Sequence, residues 1–117
     1  MAGLTTHVLD TSRGKPAAGV VIHLYRWHSG ERVHVKTVHT NADGRTDQPL
    51  LNDGELRVGM YELVFGAAEY FRSRGTILGS PPFLDEVVVR FGVSDPSEHH
   101  HVPLLLAPYG YSTYRGS

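Results

Sequence analysis

The fold is decided by the stretch Ala17-Ala-Gly-Val-Val-Ile-His-Leu-Tyr-Arg-Trp27, which is followed by Ser29-Gly30 and then by Glu31-Arg-Val-His-Val-Lys-Thr-Val-His-Thr40. In both runs, every second side chain falls on the same face of an extended chain, and the two faces differ in polarity. This period of two is typical of half-buried antiparallel strands. The serine and glycine between the runs favour a tight turn. The stretch therefore predicts a β-hairpin and, with it, a protein built on β-sheets.

Further strands are predicted on both sides of the hairpin, at residues 4–9, 59–65, 87–91 and 99–106. Residues 67–74 lose the period of two and end at Gly75, a residue type common just after a helix, so one short helix is predicted there. Pro103 cannot donate to a ladder and predicts an edge, a bulge or a bend. The regular spacing of strands and turns predicts an all-β fold, a two-sheet sandwich of seven to eight strands with one short helix.

Length and composition set limits on the class of protein. A chain of 117 residues suits a single domain spanning residues 1–117. The net charge of -1 supplies no basic face for nucleic acid or for an acidic membrane surface. There is no apolar run of spanning length, no basic-then-apolar secretory signal and no cysteine. A cytoplasmic protein that binds neither nucleic acid nor membranes is expected.

The last seven residues, Tyr111-Ser-Thr-Tyr-Arg-Gly-Ser117, are unusual for a chain end. Their density of aromatic and β-branched residues predicts a strand that continues to the terminus. Such a strand carries a phenol, a guanidinium, a hydroxyl and the terminal carboxylate. It suits either one wall of a polar pocket or an edge strand whose polar groups are merely solvated.

Three polar residues stand out against the apolar pattern: His7 within the first strand, Arg45 after the tight turn at residues 41–45, and His101 before an apolar run. Each also has an ordinary interpretation as a solvated surface residue. His99 and His101 share a strand face and suggest zinc, but no third ligand is identifiable, so no metal site is predicted.

Five motifs together resemble those of the 5-hydroxyisourate hydrolases, the transthyretin-like enzymes of purine catabolism. They are Leu4-Thr-Thr-His-Val-Leu-Asp10, Gly14-Lys-Pro16, Thr40-Asn-Ala-Asp-Gly-Arg45, His101-Val-Pro-Leu-Leu105 and Ser112-Thr-Tyr-Arg-Gly-Ser117. The resemblance covers essentially the whole chain and implies a transthyretin-like sandwich. It further implies a homotetramer, a dimer of dimers, with active sites at the dimer–dimer interface.

The implied reaction is the hydrolysis of 5-hydroxyisourate to 2-oxo-4-hydroxy-4-carboxy-5-ureidoimidazoline, a step of urate degradation that needs no cofactor. By carry-over, His7 and His101 are the catalytic imidazoles, and either suits the activation of water because neutral histidine accepts a proton near pH 7. Arg45 would bind the substrate and stabilise the oxyanion.

Carry-over from the resemblance also gives the C-terminal residues roles in the site. Tyr114 would close the pocket, and Ser117 would act by its hydroxyl or its terminal carboxylate. Arg115 is placed among the substrate-binding residues, although a face shared with Ser117 favours contact with the chain terminus or another subunit.

Two alternatives to this interpretation stay open at the level of sequence. A non-catalytic transthyretin-type carrier would hold an aromatic ligand in the interface channel. A zinc hydrolase using His99 and His101 would lose its activity to chelators.

Overall fold

The computed structural model describes residues 2–117, and this part of the chain forms eight β-strands and one α-helix. The elements in chain order are β1 (Leu4–Asp10), β2 (Lys15–Pro16), β3 (Val21–His28), β4 (Glu31–His39), β5 (Gly59–Phe65), α1 (Ala67–Ser73), β6 (Val87–Val93), β7 (His100–Ala107) and β8 (Gly110–Thr113). The strands form two four-stranded sheets, the first in the order β2-β1-β7-β8 and the second in the order β4-β3-β5-β6. The predicted all-β sandwich with one short helix is confirmed.

The hairpin predicted from the central stretch is β3–β4, and the pairing runs from Val21 opposite His39 to His28 opposite Glu31. Ser29 and Gly30 form its turn with φ of 52° and 78°. The predicted start of the strand at residue 17 is wrong. Gly19 has a φ of 78° and breaks the extended chain, while residues 15–16 pair with β1 instead.

Strand β7 does not lie at an edge, so the edge interpretation of Pro103 is wrong. β7 is paired with β1 on one side and with β8 on the other. The missing N–H of Pro103 coincides with a gap in the ladder to the C-terminal segment: pairing stops at Leu104 opposite Thr113 and resumes at His101 opposite Gly116.

The core lies between the two sheets and is built from the inward side chains of the alternating strands. Its largest fully buried members include Tyr61, Phe65, Phe71, Ile22, Leu24 and Leu104. Each such side chain contributes about 1.5–3 kcal/mol to the free energy of unfolding. In β1, burial alternates strictly, with Leu4, Thr6, Val8 and Asp10 inside and Thr5, His7 and Leu9 outside. Thr5 and His7 therefore project from the outer face of the first sheet.

Helix α1 packs against the core and is tied to the end of β1. The hydroxyl of Tyr70 donates a hydrogen bond to Oδ2 of the buried Asp10 at 2.8 Å, and Ser12 donates to Oδ1 of the same carboxylate. Burial, and then the Asp10 carboxylate, raise the pKa of Tyr70. In the described residues, no helix has the length and apolar character needed to cross a membrane.

Candidate active site

Two predicted site residues are brought onto one face by the parallel pairing of β1 with β7. Thr5 lies opposite His101 and His7 opposite Pro103 in this pairing. Because side chains alternate along a strand, Thr5, His7 and His101 all project from the outer face of the first sheet. These residues come from opposite ends of the chain, and only the parallel pairing places them side by side.

Arg45 reaches the same region through the turn at residues 41–45, which docks on β1. The Asn41 side chain accepts hydrogen bonds from the backbone N–H groups of Asp43 at 2.9 Å and Arg45 at 3.2 Å. The N–H of Val8 donates to the Gly44 carbonyl at 2.8 Å, which fixes the turn against the strand. The tight turn predicted at residues 41–45 is confirmed, and Gly44 has a positive φ of 75° in it.

The same turn fixes the tautomer of His7. Its Nε2 lies 2.8 Å from the Asp43 carbonyl oxygen. Because a carbonyl oxygen only accepts, neutral His7 carries its proton on Nε2, and Nδ1 remains as the basic nitrogen.

His101 is held by Thr5, a residue that the sequence motifs did not single out. The Nδ1 of His101 lies 2.8 Å from the Thr5 hydroxyl oxygen, and the Nε2 of His99 lies 3.0 Å from the same oxygen. Burial, and then the charges of Arg45, His7 and His99, lower the pKa of His101 below its usual value. The His101 imidazole is therefore neutral at pH 7, and it lies within electrostatic reach of both other predicted residues.

The C-terminal segment lies against His101. The Gly116 N–H donates to the His101 carbonyl at 2.8 Å. A Cβ atom on Gly116 would come within 2.6 Å of Cδ2 of the His101 ring. The prediction of a strand running to residue 117 is wrong beyond Thr113, because the segment passes Pro103 without a ladder before it reaches Gly116. The chain end nevertheless lies beside His101.

The other tail residues differ in their surroundings. The Nη2 of Arg115 contacts a Glu98 carboxylate oxygen at 3.4 Å and the His99 carbonyl oxygen at 3.2 Å, so its guanidinium is engaged with the protein. Tyr114 is 60% exposed, and Ser117 is also exposed. The tail is therefore attached beside the site, with its phenol and terminal hydroxyl open to solvent in the single chain.

Two hollows border the candidate site. A cavity of about 180 Å³ is lined by Thr5, Thr6, Arg45, Thr46, Asp47 and Pro49. A second, of about 260 Å³, opens between the edges of the two sheets, where Phe91, His100, Tyr114 and Arg115 contribute to its wall. In residues 2–117, no group of three or more histidine, cysteine or acidic side chains is arranged to hold a metal ion.

Sequence reasoning missed the hydroxyl link formed by Thr5 and His99. The alternation of β1 placed Thr5 on the face of His7, and the spacing of two placed His99 with His101. The missing information was the register of β1 against β7, which no local pattern encodes.

Comparison with known proteins agrees with this fold. Residues 4–116 match the model of the HIUase/Transthyretin family. The chain is 61% identical over 114 residues to a 5-hydroxyisourate hydrolase of Mesorhizobium japonicum, covering 97% of this chain and 91% of the relative. The chain therefore belongs to the HIUase/Transthyretin family, as its motifs predicted, and the prediction of an enzyme is confirmed.

Solved structures with the same fold include a 5-hydroxyisourate hydrolase. The 5-hydroxyisourate hydrolase of Klebsiella pneumoniae superimposes with a TM-score of 0.81 at 34% identity, with 100% of both chains covered. An (S)-allantoin synthase superimposes with a TM-score of 0.92 at 46% identity over 99% of this chain. The present chain spans 44% of the length of that synthase.

Proposed function

We propose that the chain hydrolyses 5-hydroxyisourate to 2-oxo-4-hydroxy-4-carboxy-5-ureidoimidazoline in urate degradation. The supporting observation is the convergence of His7, Arg45 and a neutral His101 on one sheet face, beside the C-terminal segment. The names of the relatives support the same substrate.

The proposed mechanism is direct attack of water on a ring amide carbonyl. His101 accepts the proton of the water at Nε2, because its Nδ1 is engaged by Thr5. Arg45 stabilises the oxyanion, and the loss of one such donor typically costs about 3 kcal/mol of activation free energy. His7 holds the substrate ring, Tyr114 closes over it, and Ser117 positions the water.

A carrier of an aromatic ligand is the less favoured function for this face. An aromatic ligand is held mainly by apolar walls with few polar contacts. Two imidazoles and a guanidinium that shift a neighbouring pKa are typical of sites for proton transfer.

We further propose that the chain assembles as a dimer of dimers. The outer face of the first sheet, which carries the candidate site, is open in the single chain, and the tail beside it carries the exposed Tyr114. A second subunit on this face would exclude water from the substrate and enclose it. Cytoplasmic location stays a prediction from the sequence.

The test follows the ultraviolet absorbance of freshly generated 5-hydroxyisourate with and without the protein. The protein is expected to accelerate its disappearance, and His101→Ala is expected to reduce kcat about 10²–10⁴-fold by removing the general base. His28→Ala, at an exposed position beside the β3–β4 turn, is the matched control and should retain full activity. No acceleration over buffer by the wild-type protein would eliminate the hydrolase.

The pH dependence identifies the base. A base must be neutral to accept a proton, so activity falls as the pH decreases through its pKa. Since burial and the neighbouring charges lower the pKa of His101, the acid limb of kcat/KM is expected below the usual pKa of a histidine, about 6.5. A limb at or above that value would assign the proton transfer to another group.

A further inference from the structure

A single hydroxyl group joins two imidazoles behind the candidate site. Oγ1 of the half-buried Thr5 lies 2.8 Å from Nδ1 of His101 and 3.0 Å from Nε2 of His99. Both distances are those of good hydrogen bonds. Thr5 therefore bridges the proposed base to a histidine for which the proposed mechanism has no role.

A hydroxyl has one proton, so it can donate to only one of the two imidazoles and accepts from the other. In one arrangement, His99 donates to Thr5 and Thr5 donates to Nδ1 of His101, which leaves the proton of His101 on Nε2. In the other arrangement, Nδ1 of His101 donates to Thr5 and Thr5 donates to His99, which leaves Nε2 of His101 as a free base. Going from the first arrangement to the second moves protons along the three groups from His99 towards His101. Exchange with water also removes the proton from Nε2 of His101 and adds one to Nδ1 of His99.

We propose, on the basis of the hydrolase function above, that Thr5 and His99 form a proton relay that serves His101. The relay starts from the arrangement with a free Nε2. As water adds to the carbonyl carbon, the new C–O bond forms and the water proton passes to Nε2 of His101. At the same time the Nδ1 proton passes to Thr5 Oγ1, and the Thr5 proton passes to Nε2 of His99. The positive charge then rests on His99.

The relay runs backwards in the second half of the reaction. His99 returns its proton through Thr5 to Nδ1 of His101, and Nε2 of His101 delivers its proton to the ring nitrogen as the C–N bond breaks. The protein ends in its starting state, and one water molecule has been added to the substrate. No oxidant, metal or covalent intermediate enters this balance.

The surroundings of His101 disfavour a positive charge on its ring. His101 faces Arg45 and His7, and together with burial these groups disfavour a cation there, which is consistent with its lowered pKa. Beside His99, the guanidinium of Arg115 contacts both the Glu98 carboxylate and the His99 carbonyl. This contact gives Arg115 a positioning role, because it holds the backbone of the relay's terminal residue.

The test compares two substitutions at Thr5. Thr5→Val removes the hydroxyl and keeps a β-branched shape, whereas Thr5→Ser retains the hydroxyl and serves as the matched control. In wild-type protein, kcat measured in mixtures of H₂O and D₂O is expected to curve with the deuterium fraction, because several protons move together. Thr5→Val is expected to lower kcat about 10-fold or more, to leave KM within about twofold, and to make this dependence linear. Thr5→Ser should behave as wild type.

His99→Gln gives an independent test at a partly exposed position. A glutamine side chain still hydrogen-bonds the Thr5 hydroxyl but cannot carry the proton onward. It should therefore lower kcat and straighten the isotope dependence as Thr5→Val does, even if Thr5→Val fails to fold.

The outcomes separate the relay from the function on which it rests. Wild-type protein that fails to accelerate substrate loss overturns the hydrolase and the relay together. An active wild type with an unaltered Thr5→Val variant overturns the relay alone. A slow Thr5→Val beside a normal His99→Gln also overturns it, since Thr5 then only orients His101.

Discussion

Gly116 leaves no room for a side chain between the C-terminal segment and His101. A Cβ at this position would lie 2.6 Å from Cδ2 and 3.3 Å from Cγ of the imidazole. These contacts are shorter than van der Waals separation, so either the ring or the tail must move. The glycine of the terminal motif is therefore explained by its contact with His101.

We expect Gly116→Ala to reduce kcat about 10²-fold, because a shift of about 1 Å in a catalytic group has an effect of this size. The free energy of unfolding should change little, since the tail is largely exposed. Gly110→Ala is the control: a Cβ there meets nothing within 4 Å. Steady-state kinetics and urea unfolding of both variants check this. Equal kcat values for the two variants would show that the tail does not position His101.

At this scale, the sequence predicted the reactive groups and missed their supports. His7, Arg45 and His101 could be identified because a polar side chain in an alternating apolar pattern is conspicuous, and because their motifs resemble those of a known family. Thr5 and His99 are ordinary residues of a strand and a loop. Their roles depend on two hydrogen bonds, which join Thr5 to His99, 94 positions away, and to His101, 96 positions away.

The turn at residues 41–45 is the element that carries Arg45, and Gly44 is the point where it meets β1. A Cβ on Gly44 would collide with the Val8 carbonyl oxygen. Gly30, in the β3–β4 turn, has a similar φ of 78° but open space around its Cα. An alanine at Gly30 would therefore suffer only backbone strain, whereas an alanine at Gly44 would suffer the same strain and also a steric clash with β1.

We expect Gly30→Ala to cost about 1–2 kcal/mol of unfolding free energy, the usual cost of a left-handed conformation for alanine, and to keep full activity. Gly44→Ala should cost more than this and should also lower kcat/KM, because the turn must move away from β1 and takes Arg45 with it. Thermal unfolding and the absorbance assay provide the two measurements. If both variants lose similar amounts of unfolding free energy and of kcat/KM, the contact of this turn with β1 does not determine the position of Arg45.

Strands and the helix could be predicted where the pattern of neighbouring residues alone determines them. The period of two gave the β3–β4 hairpin, β5 and the inward face of β7, and the loss of that period gave the helix. The errors lie where tertiary contacts decide: Gly19 ends an apparently continuous strand, and Pro103 interrupts the pairing that the terminal residues would otherwise have made.

In the whole molecule, the candidate site lies on an outer sheet face and not in an enclosed pocket. Leu9 and Leu105 are paired on this face beside the histidines, Ser112 pairs with Leu105 from β8, and both leucines remain partly exposed. The sequence pattern does not show what covers such a face, because the alternation of residues along the strand is the same whether the face contacts water or another subunit. The proposed dimer of dimers gives these leucines a partner and excludes water from the histidines.

This proposal predicts the behaviour of Leu105→Lys. A lysine at this position would place a charge in the proposed subunit contact, and a buried unpaired charge costs several kcal/mol. Wild-type protein should sediment as four chains of 12.9 kDa each, whereas the variant should dissociate into smaller species and lose most of its kcat.

Ile77→Lys, at a position that is 95% exposed, adds the same charge elsewhere and should leave both sedimentation and kcat unchanged. If Leu105→Lys dissociates but keeps its full kcat, the site is complete without a second subunit on this face. If it stays a tetramer, the contact between dimers must lie on another surface. We expect Leu105→Lys to dissociate and to lose turnover while its circular dichroism spectrum stays unchanged. This result would mean that the face carrying the histidines becomes an active site only when a second subunit covers it.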